Sequence, residues 1–444
     1  MKLEVQVISK EIIKPSSPTP DNLHRYRLSF LDQITTPNMY SFFILFFEFN
    51  GETQPNITGI SNHLKKSLAD VLTLFYPLAG VRAHDNINCK LSDFLRNPIP
   101  DELTKLVPFQ LDDSDNQIRF GVQLNVFECG GFAIGQCVSH KIADGLSTLM
   151  FSKAWAETTL RALGDHQAEI SCPEFVSATL FPPKLVADPE TISGLAKKKL
   201  VTKRFVFDAS NIEQLRAKYE QLERPTRVET LTAFIWSCLV ADTTDYGIHD
   251  NQKLHKVSQV VNLRRKLDPP LAPHTFGNII TLADSIPSLL NTGEECYGLA
   301  RQVREAIRKI DKVYIRKLQQ GEDDHGSSSE GSITSVFTIL CNFPLYDSDF
   351  GWGRPLWVSM GMPGLDFNNV VIFTDTRDAN GIEASITSTK EVLIGLETDT
   401  EFLKRVRPSW VSSGLSLTPK RTTTANMYIN TRNRVSSMVK EPRT

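Results

Sequence analysis

The sequence lacks the features that mark several large classes of protein. Lys and Arg number 49 against 51 Asp and Glu, so the 444-residue chain has a formal net charge of -2. No basic excess remains to bind nucleic acid or an anionic membrane surface. The most apolar stretch, Met39 to Phe49, is shorter than the roughly 20 residues needed to cross a bilayer. This apolar stretch predicts a buried strand. From the balanced charge and the short apolar stretch we expect neither a nucleic-acid partner nor a membrane partner.

The cysteines show no paired spacing, and the first residues do not predict a secretory leader. The 7 cysteines are scattered, odd in number and never arranged as CxxC, which argues against a disulfide framework and against a zinc site. The N-terminal residues MKLEVQVISKEI carry charges throughout and have no unbroken apolar core of the kind found in signal peptides. These absences predict a cytoplasmic protein with reduced thiols.

Motifs for covalent hydrolysis, phosphoryl transfer and metal binding are absent. There is no GxSxG elbow, and Asp349-Phe350-Gly351 occurs without the glycine-rich phosphate loop and catalytic loop of a kinase. His, Cys, Asp and Glu form no cluster with the spacing of metal ligands. We therefore expect no metal site.

Short apolar runs alternate with helical periodicity, which predicts a mixed α/β protein. A chain of this length is expected to form two domains of roughly 200 residues each. Residues 1–170 are assigned to an N-terminal domain and 200–410 to a C-terminal domain. The proline-rich segment 171–199 is predicted to link them. Residues 411–444, rich in Ser, Thr and Arg, are predicted to form a disordered tail.

Local patterns predict several elements. Arg119–Glu128 alternates apolar and polar residues, as in a half-exposed strand, and Gly130-Gly131 favours a tight turn into a partner strand, Phe132–Ser139. Helical periodicity begins after Gly145.

In the second half, Thr226-Arg227-Val228-Glu229 fits a capping box that opens a helix. Residues Glu294 to Leu318 predict one long charged helix, followed by a mobile surface loop over Gly321–Gly331.

One histidine is placed for chemistry. His140 follows the predicted strand and precedes Asp144 by four residues, and histidine is the usual general base near neutral pH. An isolated HxxxD pattern more often marks a buried structural histidine, so this pattern alone leaves both interpretations open.

A second motif lies in the second half of the chain, at Asp349-Phe350-Gly351-Trp352-Gly353. Its two glycines permit a tight loop that the two aromatic side chains can anchor, which favours a structural role.

Together, SHKIADG around His140 and DFGWG about 200 residues later resemble the plant BAHD acyltransferases. LSFLD at 28–32, FYPLAG at 75–80, residues 226–236 and TFGN at 275–278 are also similar to family segments, and the likeness covers residues 5 to 405. The chain looks nearest to the alkaloid and terpenoid O-acetyltransferases, the vinorine synthase-like members. The fold implied is α/β, with two chloramphenicol acetyltransferase-like domains. Each is a mixed β-sheet flanked by helices, and a channel runs between them.

The resemblance also implies roles for individual residues. His140 is the expected catalytic base, and Thr338 matches a hydroxyl residue that helps to stabilise the oxyanion in some members. Asp144 is expected to form an ion pair with Arg264 and, with Gly145, to support the site without entering the chemistry. The DFGWG residues are expected to lie away from the reaction.

The implied reaction transfers an acyl group from a coenzyme A thioester. We expect no permanently bound cofactor, acetyl-CoA or another acyl-CoA as co-substrate, and a small-molecule alcohol as acceptor. Ser16–Pro20 and Phe181-Pro182-Pro183 resemble members that acetylate alkaloid or terpenoid alcohols. A hydroxycinnamoyl or other aromatic donor, an amine acceptor and a non-catalytic ligand-binding homologue remain alternatives. A monomer is expected, since no coiled-coil stripe stands out.

The sequence departs from the family pattern in two places besides the tail. The segment between Gly80 and Leu91 is shorter than usual, and Leu340 stands where many relatives have tryptophan. The resemblance therefore implies an altered acceptor pocket or oxyanion contact at Leu340.

Overall fold

The structure is a computed structural model that describes residues 2–35, 39–49, 56–78, 85–96, 98–108, 118–165, 167–184, 200–218, 225–245, 255–286, 295–322, 332–362 and 367–407. Its strands are β1 (Val5–Gln6), β2 (Tyr40–Phe47), β3 (Asp85–Ile87), β4 (Phe120–Phe127), β5 (Phe132–Ser139), β6 (Leu200–Asp208), β7 (His255–Asn262), β8 (Ile280–Ser285), β9 (Ile333–Ile339), β10 (Trp357–Gly361), β11 (Asn369–Asp375) and β12 (Gly381–Thr389).

The described α-helices are α1 (Phe30–Gln33), α2 (Ile57–Leu74), α3 (Leu91–Arg96), α4 (Pro100–Leu103), α5 (Gly145–Ala162), α6 (Ser177–Leu180), α7 (Ala209–Lys218), α8 (Arg227–Asp245), α9 (Glu295–Lys309), α10 (Lys312–Gln319), α11 (Lys390–Thr398) and α12 (Thr400–Leu403). Short 3₁₀ turns occur at Asp21–Leu23, Tyr76–Leu78 and Thr104–Leu106.

The strands form two six-stranded mixed sheets. The first has the order β1-β3-β4-β5-β2-β10, and the second has the order β6-β12-β11-β9-β7-β8. Parallel pairs join β3 to β4, β9 to β11 and β7 to β9, while the other neighbours are antiparallel. This arrangement confirms the predicted mixed α/β fold.

The centre of the first sheet is buried on both faces. Strand β2 matches the apolar run predicted to be a buried strand, and every residue in it is buried. Phe43, Leu45 and Phe47 pack in the core that contains α2 and α5 residues, whereas Ile44 and Phe46 pack in the core that contains α3 residues. A strand covered on both sides needs a continuous apolar run, which explains its composition.

The prediction that β4 is half exposed is wrong. Gln123 and Asn125 point away from the apolar face, yet both are buried. The segment around Leu106 covers that face: Asn125 Nδ2 donates to Leu106 O at 2.9 Å, and Gln123 Nε2 donates to Lys105 O at 2.9 Å. Polar residues can therefore line a buried strand face because backbone carbonyls satisfy them.

One strand departs from the predicted division of the chain. Strand β10 belongs by sequence to the segment 200–410, but it pairs with β2 in the first sheet, with Trp357 opposite Phe46 and Gly361 opposite Phe42. We call the parts of the protein built around the first and the second sheet the first and the second unit. The loop before β10 enters the core of the first unit, where Phe350 packs in the same apolar cluster as α5 residues. Apolar side chains on β10 thereby extend the first sheet.

The predicted long helix is interrupted in the structure. Helix α9 ends at Lys309, and α10 starts at Lys312 after Asp311, whose carboxylate accepts hydrogen bonds from Val313 N and Tyr314 N. Aspartate is a strong helix N-cap, so it starts a second helix there. The capping box at Thr226 and Glu229 is present, with both reciprocal hydrogen bonds formed.

Several predictions concern residues outside the described ranges. They are residues 185–199 of the predicted linker, 323–331 of the predicted loop, the tail 411–444, and 81–84 of the shortened segment after Gly80. In the described part of the linker, Ser177–Leu180 forms a short helix.

Candidate active site

The site is built where the first sheet meets its central helix. Strand β5 ends at Ser139, and His140 N continues the pairing by donating to Met39 O at 2.8 Å. Four residues later Asp144 is the N-cap of α5, and its Oδ1 accepts from Ser147 N at 2.8 Å. The HxxxD spacing thus spans the turn from a strand end to a helix start.

Asp144 is held in an ion pair with the second unit. Arg264 Nη1 donates to Asp144 Oδ2 at 2.7 Å, and Arg264 Nη2 donates to Asp144 Oδ1 at 3.1 Å. The two side chains are only 1% and 2% exposed. Ile279 N adds a hydrogen bond to Oδ2 at 3.1 Å, so four donors in all surround the carboxylate. None of them comes from His140, and the ion pair expected from the resemblance is present.

The charge state of this buried carboxylate follows from its partners. Burial alone would raise the pKa of Asp144. The positive charge and hydrogen bonds of Arg264, together with the amides of Ser147 and Ile279, outweigh burial and lower the pKa below its usual value. Asp144 is therefore ionised at neutral pH.

Arg264 also donates hydrogen bonds to the loop that leads into β8. Its Nε and Nη2 donate to Thr275 O at 3.0 and 2.8 Å, and Nη2 donates to Ser147 Oγ at 3.0 Å. Ser147 Oγ in turn donates to Gly277 O at 3.0 Å. A single guanidinium thus joins α5 to the segment that follows β7, because its fixed fork of donors can satisfy several acceptors at once.

His140 lies beside this ion pair and is 6% exposed. Burial lowers the pKa of its imidazole, and the nearby charge of Asp144, its own backbone and the Asn278 side chain oppose that effect without cancelling it. The ring is therefore neutral at neutral pH, which is the form that can accept a proton. Asn278 Nδ2 donates to His140 O at 2.6 Å and fixes the backbone beneath the ring.

Gly145 and Thr338 lie on different elements, Gly145 at the start of α5 and Thr338 on β9. A Cβ atom on Gly145 would lie 3.1 Å from Leu340 Cδ2, so the second unit packs tightly here. Leu340 is therefore in contact with the start of α5. Thr338 lies two residues earlier on β9, and its buried hydroxyl has no hydrogen-bond partner among the described residues.

The DFGWG loop forms part of the apolar core. Phe350 contacts Phe47 and Trp155 edge to face, with ring centroids 5.9 and 4.9 Å apart. Trp352 meets Phe132 at 5.6 Å. These contacts anchor the loop to β2, β5 and α5.

The backbone of this loop explains its two glycines. Gly351 and Gly353 have φ values of 96° and 89°, a region that favours glycine. Asp349 Oδ1 accepts hydrogen bonds from the N–H groups of both. The motif is thus a self-contained turn.

Two residues of the site carried no assigned role in the sequence analysis. Asn278 lies in the TFGN segment and Asp32 in the LSFLD segment, and the structure joins them: Asn278 N and Nδ2 both donate to Asp32 Oδ1 at 2.9 Å. Asp32 closes a capping box with Ser29 at the start of α1. The Ser-x-x-Asp spacing could have indicated that cap, but nothing local predicts its contact with a residue 246 positions away.

Within the described ranges, no group of three or more His, Cys, Asp or Glu side chains is placed to hold a metal ion. None of the described helices is both long and apolar enough to cross a membrane.

The structure thus combines two six-stranded mixed sheets with a buried Asp144–Arg264 ion pair four residues after His140. A family model described as "Transferase family" matches residues 3–403, and the chain belongs to this family. The sequence-based recognition of the family is confirmed, and the chain is an acyltransferase.

Named relatives span almost the whole chain. It is 34% identical to a limonoid 21-O-acetyltransferase of Melia azedarach over 92% of this chain and 99% of that protein. It is 32% identical to a stemmadenine O-acetyltransferase of Catharanthus roseus, covering 90% and 97% of the two chains. It is 34% identical to a salutaridinol 7-O-acetyltransferase of Papaver somniferum, covering 85% and 93%.

Solved structures give the same fold. The crystal structure of vinorine synthase superposes with a TM-score of 0.78 at 31% identity, covering 91% of this chain and 98% of that one. The Fusarium sporotrichioides protein TRI101, crystallised with coenzyme A and T-2, superposes with a TM-score of 0.65 at 16% identity, covering 86% and 98%. The second match shows the fold alone.

Proposed function

We propose that this protein transfers an acetyl group from acetyl-CoA to a hydroxyl of a plant specialised metabolite, an alkaloid or a terpenoid. The single observation that carries the proposal is the neutral, almost fully buried His140 at the junction of the two units. The names of the relatives support the acetyl donor and the acceptor classes, since they are O-acetyltransferases of a limonoid and of named alkaloids.

In the proposed mechanism His140 is the general base. Its unprotonated ring nitrogen takes the proton of the acceptor hydroxyl while the hydroxyl oxygen attacks the thioester carbon. The tetrahedral intermediate then collapses, the carbon–sulfur bond breaks, and the thiolate of coenzyme A leaves and takes up the proton. The proposed reaction needs no covalent enzyme intermediate, because the hydroxyl attacks the thioester directly once both substrates are bound together.

Thr338 is proposed to stabilise the oxyanion. Its buried hydroxyl has no partner among the described residues and is thus free to donate a hydrogen bond to negative charge that develops on the carbonyl oxygen. Asp144, Gly145 and Arg264 are proposed to hold the junction in place, because the acceptor positions of Asp144 are occupied by groups other than His140.

Thiol release tests this proposal. The purified protein is incubated with acetyl-CoA and a panel of alkaloid and terpenoid alcohols, with phenolic alcohols, amines and hydroxycinnamoyl-CoA tested in parallel. We expect acetyl transfer to an alkaloid or terpenoid hydroxyl. His140→Ala should lower kcat by roughly 10²–10⁴. His24→Ala, at an exposed histidine, is the control and should retain full turnover.

The outcomes separate the alternatives. Turnover only with hydroxycinnamoyl-CoA would replace the proposed donor, and turnover only with amines would replace the proposed acceptor. Ligand binding without any thiol release would favour a non-catalytic homologue. Near-normal turnover of His140→Ala would refute the base assignment.

We also propose that the enzyme is a monomer and that it lies in the cytoplasm. Light scattering of the purified protein tests the oligomeric state, and imaging of a tagged protein in plant cells tests the location.

A further inference from the structure

The second sheet turns one of its faces toward the first unit. Leu340 after β9 and Ile372 on β11 belong to the apolar cluster that also contains Phe43 of β2. Successive side chains of an extended chain point to opposite faces, so Thr338, two residues before Leu340, lies on the same face as Leu340. We call this face, which carries Thr338, Leu340 and Ile372, the inner face. The proposed oxyanion residue is therefore part of it.

A line of side chains crosses the inner face at the level of Thr338. From β8 to β12, the strand register aligns Leu282, Val260, Thr338, Ile372 and Ser385. Val260 takes its place by continuing the parallel register of β7 with β9 by one residue. Every member of this line except Ile372 is partly exposed, although the inner face is turned toward the first unit.

The lines of side chains on either side are buried. They consist of Ser258, Val336 and Val370 on one side and of Leu340, Thr374 and Glu383 on the other. Partly exposed side chains between two buried lines form a depression that solvent reaches. We call this depression, lined by Leu282, Val260, Thr338, Ile372 and Ser385, the transverse groove. Thr338 divides it into an arm that runs to β8 and an arm that runs to β12.

Among the described residues, the arm that runs to β12 carries hydroxyl groups and one balanced ion pair. Beyond Ser385 it leads to Thr387 and Thr202, which are partly exposed and whose hydroxyl oxygens lie 2.8 Å apart. Arg204 is opposite Ser385 in the register, and its Nε and Nη2 donate to the two carboxylate oxygens of Glu383. Because Glu383 balances the charge of Arg204, this arm suits an uncharged molecule that bears oxygen functions.

The arm that runs to β8 ends at an edge strand of the sheet. Helix α10 borders this strand, since Thr281 Oγ1 and Tyr314 Oη lie 2.9 Å apart. The helix contributes the cations Lys312, Arg316 and Lys317, and none of its residues is acidic. Positive charge attracts the phosphate groups of an acyl-CoA. The donor therefore fits this arm, which leaves the arm that runs to β12 for the acceptor alcohol. We call the latter the acceptor arm.

Ser385 is the polar side chain of the acceptor arm that lies nearest to Thr338. Its hydroxyl makes no hydrogen bond to another described residue. Ile372 lies between the two residues and is only 5% exposed, so it forms an apolar floor. Two strand spacings put Ser385 about 9–10 Å from Thr338.

We propose that Ser385 is a specificity-determining residue that donates a hydrogen bond to a second oxygen of the acceptor. This is a carbonyl, ester or ether oxygen about 9–10 Å from the hydroxyl that is acetylated. The carbon skeleton between the two oxygens lies on Ile372. A rigid skeleton loses less conformational freedom on binding than a flexible one, so the groove favours polycyclic alcohols. The inference rests on the proposed function and narrows its acceptor class.

Steroid binding tests this inference without any acyl donor. Androsterone is a rigid polycyclic alcohol whose ketone lies at the opposite end of the skeleton from its hydroxyl. The comparison probe is the same alcohol with CH₂ in place of the ketone. Calorimetry of the full chain measures the Kd of each steroid. We expect androsterone to bind the wild type roughly two- to tenfold more tightly, the range for one hydrogen bond between uncharged groups.

Two variants change the acceptor arm in different ways. Ser385→Ala removes the hydroxyl and should make the two steroids bind equally. Ser385→Phe fills the arm and should weaken the binding of both steroids by roughly tenfold or more. The Kd of coenzyme A should stay the same in both variants, because the donor fits the other arm.

Ser388→Ala is the matched control. Ser388 lies on the same strand but points to the opposite face, where its buried hydroxyl donates to Asn369 Oδ1 at 2.6 Å. Its loss should lower stability without changing the preference for the ketone or the Kd of coenzyme A.

Kinetics provide a second readout once thiol release has identified an acceptor. Because Ser385 lies far from the reacting atoms, Ser385→Ala should raise the KM for the acceptor by roughly two- to tenfold with little change in kcat. A large loss of kcat with an unchanged KM would contradict a role in acceptor recognition.

Three binding results would overturn the inference. If neither steroid binds the wild type, the acceptor arm does not hold a polycyclic alcohol, and this measurement needs no variant to fold. A preference for the ketone that persists in Ser385→Ala would assign the contact to another residue. Weaker binding of coenzyme A to Ser385→Phe, with unchanged steroid binding, would reverse the two arms. The thiol-release assay decides the proposed function separately, so the two failures are distinguishable.

Discussion

Replacing Asp144 by alanine should lower the stability of the protein together with its turnover. Asp144 is ion-paired with Arg264, and both side chains are almost fully buried. Alanine would leave the guanidinium charge in the interior without a counter-ion and would remove the N-cap of α5. The junction that presents His140 would lose its support.

The structure sets the size of this effect. Removing one partner of a buried ion pair costs roughly 3–5 kcal/mol, because the remaining charge stays desolvated. Loss of the cap adds about 1 kcal/mol. Domains have a free energy of unfolding of about 5–15 kcal/mol, so a large part would be lost. For a unit of 150–250 residues, the ion-pair term alone lowers Tm by roughly 6–20 °C.

Thermal and urea unfolding of wild type and Asp144→Ala measure this loss, and turnover is measured on the same preparations well below the lower Tm. Lys404→Ala is the control, since it breaks an ion pair with Glu401 in which both side chains are more than half exposed. Exposed pairs contribute about 0–1 kcal/mol, so this Tm should hardly change. The double variant Asp144→Ala/Arg264→Met should recover part of the lost stability, because it also removes the unpaired charge.

A wild-type Tm combined with a large loss of turnover in Asp144→Ala would refute this reasoning. Asp144 would then act on the chemistry, and its ion pair with Arg264 would not be its main role.

Three further predictions concern Thr338, Phe350 and the pKa of His140. Thr338→Val, which removes the unpartnered hydroxyl at similar size, should lower kcat by up to roughly 10²–10³ with an unchanged Tm; an unchanged kcat would remove Thr338 from the mechanism. Phe350→Ala should lower the free energy of unfolding by about 3–5 kcal/mol in urea titrations, because the ring is fully buried, while the KM for acyl-CoA stays the same. The pKa of His140 is lowered by burial, so its base form is present above that pKa and is lost as pH falls through it. The acid limb of kcat/KM should therefore lie below the usual histidine pKa of about 6.5, and a limb above that value would contradict the assignment.

Much of the site could be predicted because its signals are local in the sequence. The HxxxD spacing of His140 and Asp144 coincides with a strand end and a helix start, both of which hydrophobic periodicity indicates. The glycines of the DFGWG motif and the capping box at Thr226 are likewise properties of a few neighbouring residues. The apolar run of β2 predicted a buried strand because a strand covered on both faces needs continuous apolar residues.

Other features arise only when distant segments meet. Gln123 and Asn125 alternate with apolar residues and thus predict an exposed face, but the carbonyls of Lys105 and Leu106 cover and satisfy them. Strand β10 follows residues of the second unit in the sequence, yet its partner in the sheet is β2. A strand pattern does not specify its partner, because pairing depends on which sheet edge is available.

For this protein the sequence by itself determined the family, the mixed α/β class and the position of His140 and Asp144, since these follow from short patterns that do not depend on distant contacts. Only the tertiary structure decided how Asn278 and Asp32 meet beneath His140 and which sheet receives β10. Those contacts join residues far apart in the chain, and the hydrogen bonds and buried surface that stabilise them exist only once both units have packed together.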